Sequence, residues 1–209
     1  MPTTLIDIIT RDRGAEAYAE YSEFQITDPD LIVDAVKKTL NSIPPSFGSC
    51  VMISVGFVAA LKSQGIPAVV LLGDLLIDDQ FAFECRGNIP GATYEGEIVE
   101  ATWDGHAWVM LAGVICDLSI FRSAYAIKKP SKLKTSVTKY FGEGKGAMMC
   151  PPEDLPTGMV FVPKFALNDD QIWGILGKRP PNTPCVIKRA PTCAATARLS
   201  HSHAASAGV

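Results

Sequence analysis

A nucleophile, a base and an orienting acid are available in this chain at Cys50, His106 and Asp117. Cys50 opens an apolar run, Val51 to Leu61, interrupted by Ser54. The thiolate is the reactive form of cysteine, and it is favoured at a helix N-terminus or beside an imidazolium. The first-turn N–H groups of a helix have no intrahelical acceptor and carry the positive end of its dipole. Those groups can also hold the oxyanion of a tetrahedral intermediate. Position alone assigns nothing, because free cysteine is among the most buried residue types.

Histidine arithmetic narrows the chemistry. Only His106 lies in the body of the chain, with His201 and His203 near its end. A multi-histidine metal centre in the core is therefore ruled out. The cysteines, spaced by 35, 31, 34, 35 and 8, contain no C-x-x-C pair, which argues against structural zinc. No phosphate-binding loop or dinucleotide fingerprint is present, and Gly142-Glu-Gly-Lys-Gly146 reads as a flexible turn. The expectation is a site without cofactor or metal.

Parity links His106 to Asp117. His106–Leu111 and Val114–Leu118 read as two strands joined at Ala112-Gly113. If those two residues are the turn, opposed residue numbers sum to 225. Trp108 then faces Asp117, and His106 and Asp117 become diagonal neighbours on one face, about 7–8 Å apart at the backbone. Asp117 is an acid inside an apolar strand, where an unpaired charge is costly. An acid beside a histidine fixes its tautomer and stabilises the imidazolium.

The elements that position these residues follow from periodicity and punctuation. Ala15, Tyr18, Ala19, Phe24 and Ile26 suggest one short helix within residues 1–26. Asp28-Pro29 starts the next helix, with Ile32, Val36, Leu40 and Ile43 along one face up to Pro44-Pro45. The stretch 50–64 is long enough for a helix, and Gly65 with Pro67 supplies its stop. Ala68–Leu72 reads as a strand leaving that stop. Residues 78–100 look like an insertion with irregular strands. The stretch 119–147 begins helical and loosens around Gly142, Gly144 and Gly146. Met159–Leu167 reads as a strand broken by Pro163, and Asn168 with Gln171 opens a short helix through Leu176. From Gly177 the chain loses periodicity, so the expectation is a single domain over 1–176 and a tail over 177–209.

Composition bounds the rest. With 209 residues, 47% apolar and 20% charged, the chain is ordinary globular material. A net charge of −3 argues against nucleic acid as a partner held by bulk electrostatics. No run approaches the roughly 20 apolar residues a bilayer span needs, so no membrane partner is expected. The opening MPTTLIDIITRDRG has neither the basic nor the apolar region of a secretory signal. A cytoplasmic location with reduced thiols is the expectation. Acids crowd residues 74–104 and bases residues 122–145. These read as two solvated stretches, or as an acidic rim favouring basic or neutral substrates.

Gly48-Ser-Cys50, the apolar helix, Gly65-Ile-Pro-Ala68, Gly105-His-Ala-Trp-Val109 and Cys116-Asp-Leu-Ser119 together resemble the transglutaminase-like superfamily over residues 46–119. The resemblance implies a papain-like α+β fold, with a central cysteine-bearing helix packed on an antiparallel sheet. It also implies Cys50 as nucleophile, His106 as base and Asp117 as its orienter. Two departures stand out. The interval of 56 residues from Cys50 to His106 is long, and no glutamine precedes Cys50. Asn41, Ser46 or Trp103 is left as a second oxyanion donor. The implied activity is acyl transfer on a peptide, protein or small amide, with water as the default acceptor. The alternatives are an amine acyltransferase of the transglutaminase or N-acetyltransferase type, and a non-catalytic binding module on the same scaffold. An exposed Cys50 favours catalysis; a thiol packed in apolar side chains favours the module.

Overall fold

The apolar Cys50 segment forms the helix α4 (Cys50–Lys62), and everything else is arranged about it. The computed structural model describes residues 3–45, 48–87, 89 and 104–177. The expected tail from 178 onward, and residues 88 and 90–100 of the insertion expected over 78–100, lie outside the described residues. Three helices precede α4: α1 (Leu5–Arg13), α2 (Ala15–Glu23) and α3 (Pro29–Ser42). The single helix expected within residues 1–26 is thus two. Thr4 and Asp7 close a capping box on the first, and its chain ends at Gly14. As expected, Asp28 caps α3 with Pro29 in its first turn.

α4 ends in paired bonds, from Ile66 N–H to the Leu61 carbonyl and from Gly65 N–H to that of Lys62, with Gly65 left-handed at φ 73°. The chain then enters β1 (Val69–Ile77), longer than the strand expected to stop at Leu72. β2 (Gln80–Phe83), β3 (His106–Leu111) and β4 (Val114–Asp117) follow. Next come α5 (Ile120–Ala126) and α6 (Lys132–Phe141), then β5 (Met148–Cys150), which sequence reading did not anticipate. β6 (Met159–Ala166) and α7 (Asp169–Ile175) complete the described fold. Pro163 does not break β6. Among the described residues that strand pairs only with β1, and an edge strand tolerates proline.

The six strands of the described residues form one antiparallel sheet. β1 is its hub, bonded to β6 along one edge. Along the other edge it is bonded to β3 through Val69–Gly73 and then to β2 through Leu75–Ile77. The change of partner falls at Gly73 and Asp74. Opposite, β6 bulges between Leu72 and Gly73. A Cβ on Gly73 would stand 2.0 Å from the Val162 carbonyl oxygen, so only glycine admits this approach.

Alternation divides the core. Val70, Leu72, Ala107, Val109 and Leu111 pack with α3, α4 and α7 on one face. Leu71, Leu75, Trp108, Met110 and Ile115 pack with α1, α2, α5 and α6 on the other. The architecture is therefore α+β, an antiparallel sheet between two helical layers. Among the described residues no helix is long and apolar enough to cross a membrane.

Candidate functional site

The β3–β4 turn sets the geometry. Ala112 and Gly113 both have positive φ, 47° and 79°, as a tight two-residue hairpin turn requires. The Tyr21 hydroxyl accepts the Gly113 N–H at 3.2 Å. The register is Val109 to Cys116, Met110 to Ile115 and Leu111 to Val114, the parity expected from the sequence. His106 and Asp117 accordingly share a face, and His106 Nε2 lies 2.5 Å from Asp117 Oδ2. Both side chains are fully buried.

Asp117 is held from its other side as well. Its Oδ1 accepts the Ser119 N–H, the Ser119 hydroxyl and the Ile120 N–H, at 2.8, 2.9 and 2.9 Å. The carboxylate therefore joins the end of β4 to the start of α5 and has no freedom to turn from the imidazole. Burial alone would push the His106 pKa down. The Asp117 charge and hydrogen bond, then the Cys50 thiol, overcome that and raise it from 6.5 to about 10. The ring thus keeps its proton through the neutral range.

An aromatic enclosure surrounds that charge. Phe83 stacks on the ring with centroids 4.9 Å apart, while Phe161 and Trp108 lie at 5.9 and 6.2 Å. All three belong to the sheet face away from α4. Aromatic faces attract a buried cation. Phe83 and Phe161 were not legible beforehand, since they come from strands β2 and β6 and meet His106 only through the change of partner on β1. Trp108 carried a signal, its place two residues along β3 from His106.

Cys50 is the first residue of α4, as expected, and is 5% exposed among the apolar residues of the α4-side core. The strand alternation puts His106 on the opposite sheet face. The thiol nonetheless interacts with the His106 ring, so the start of α4 reaches the start of β3. The buried His106 Nδ1 is the ring atom left over from the Asp117 bond, and the Cys50 thiol acts on the ring as a hydrogen-bonding partner that raises its basicity.

Two charges read as solvated are built into the frame. Asp74, 5% exposed, accepts the Cys85 N–H at 2.6 Å and pairs with Lys164 at 2.8 Å, which pins the chain just beyond Phe83. Arg122 donates to the carbonyls of Leu40 and Ile43 at 2.7 and 2.6 Å, tying the end of α3 to α5. Of the oxyanion candidates, Asn41 is exposed on α3, while Ser46 and Trp103 fall outside the described residues. Among the described residues no three His, Cys, Asp or Glu side chains are grouped to hold a metal ion. The four described cysteines are free, and burial pushes the Cys116 thiol up to about 12. Five clefts indent the described surface, and none of these five is lined by Cys50, His106 or Asp117. Comparison with family models, curated proteins and solved structures finds no match to this chain.

Proposed function

We propose that this chain is a thiol-dependent acyl-transfer enzyme with a papain/transglutaminase-like core, hydrolysing a peptide or amide bond through Cys50, His106 and Asp117. The observation that carries the reading is the buried His106–Asp117 pair in a ring that also interacts with the Cys50 thiol at the start of α4. In the reaction the Cys50 proton is carried by His106. The thiolate sulfur bonds to the carbonyl carbon as the C=O π pair moves onto oxygen, and the first-turn N–H groups of α4 hold that oxyanion. The C–N bond breaks as the imidazolium gives its proton to the departing amine, leaving a thioester. Water then adds, with His106 taking its proton, and the C–S bond breaks to restore the thiolate beside the imidazolium and release the acid. Asp117 holds the ring in place throughout.

Assay of small amides and peptide mixtures tests this. Turnover should vanish in Cys50→Ala and fall by about 10³–10⁴ in Asp117→Asn. Turnover that survives Cys50→Ala overturns the assignment.

A second reading is favoured by one observation. The thiol is 5% exposed and packs among the apolar side chains of the α4-side core. A non-catalytic binding module would keep Cys50 as core and the His106–Asp117 bond as a structural link. That reading requires a Cys50 inert to alkylation in the folded protein.

A further inference from the structure

The sheet face that carries His106 also carries a cleft of about 340 Å³ between β6, the single 3-10 turn at Pro152–Asp154 and the start of α1. Apart from the indole N–H of Trp108, its lining side chains carry no hydrogen-bonding N or O atom. The floor is buried: Trp108, Met110 and Met159 are 1%, 5% and 3% exposed. Trp108 meets Phe161 edge to face, with centroids 5.1 Å apart. Pro163, at the bulge of β6, and Leu155 are half-buried members of the same lining.

From this we infer that the cleft is a binding site for a small molecule carrying an uncharged aromatic ring. A dry apolar cavity of about 150 Å³ already accepts benzene, and apolar clefts of roughly 300 Å³ and more are the usual size of small-molecule sites. Aromatic walls at an edge-to-face angle offer a third ring both a face and an edge. The two methionines add sulfur contacts that adapt to ring shape. A charged ligand would find no charged partner in this lining, and a peptide backbone would find no side-chain amide or hydroxyl to bond. The inference does not rest on chemistry at Cys50, although Trp108 and Phe161 also wall His106, so a ring bound here would lie one aromatic layer from the imidazole.

Toluene titrated into the full-length protein labelled with ¹³C at the methionine methyls provides the test. Met110 and Met159 should shift saturably. Met52, which lines a separate cleft between α3, α4 and α7, should not, and acetamide should shift none of them. Leu155→Trp, which adds bulk to the lining, should weaken toluene binding by at least about tenfold, as expected when buried methylenes lose their space. Its thermal midpoint reports whether it folds; if it does not, the methyl map of the unaltered protein decides. Shifts confined to Met52, no saturation up to the solubility limit, or undiminished binding by a folded Leu155→Trp overturns the inference.

Discussion

Phe83 lies flat on the His106 ring, with centroids 4.9 Å apart and planes 16° from parallel. The contact joins two strands that are far apart in sequence and do not pair with each other, since β2 ends and β3 begins on the same edge of β1. A cation–π contact of this kind contributes roughly 0.5–2 kcal/mol. Phe83→Leu keeps the bulk and removes the ring, so the His106 pKa should fall by up to about one unit, at 1.36 kcal/mol per unit. Imidazole ¹⁵N shifts measure it. An unchanged titration would show that Phe83 only packs.

The raised His106 pKa also makes stability depend on pH. The folded value lies above that of the unfolded chain, so the contribution is complete below about pH 6.5 and is lost as pH rises through about 10. Its size is on the order of a few kcal/mol. Urea midpoints at pH 7 and pH 10.5 should therefore drop more for the unaltered protein than for His106→Gln. Equal drops in the two proteins would contradict the assignment of the charge to this ring.

Gly73 lies opposite His106 in the β1–β3 register and faces the β6 bulge from its other edge. Gly73→Ala places a carbon against the Val162 carbonyl. Overpacking of this kind costs about 1–3 kcal/mol, and here the obstacle is backbone, so the upper end is expected. Chemical denaturation checks it. A loss below about 0.5 kcal/mol, the range of surface substitutions, would mean that β6 yields easily.

Local rules carried the parts of the site that depend on local order. Length and Gly65 gave α4, and a two-residue turn at Ala112-Gly113 fixed the face shared by His106 and Asp117. The Asn168–Gln171 capping box formed as expected, with reciprocal bonds of 2.9 Å. The misreadings came from tertiary context. The capping box at Thr4 and Asp7 was available as a sign that a helix starts before Ala15. Pro163 was taken as a break because nothing local marks β6 as an edge strand. Asp74 was counted as a surface acid because its partner, Lys164, lies ninety residues along the chain. The aromatic enclosure of His106 depends on β1 exchanging one partner for another at Gly73, which no window of sequence reports.

The central claim is that Cys50 is an activated nucleophile and not a packed core thiol, and alkylation decides between them. Substoichiometric iodoacetamide at neutral pH, followed by peptide mapping, should label Cys50 before the other five cysteines. His106→Gln should abolish that preference while the protein remains folded. Cys116, its thiol pushed up to about 12, should stay unlabelled until the chain unfolds. If Cys50 is inert in the folded protein and reacts only after unfolding, the thiol is core, and the enzyme reading gives way to the binding module.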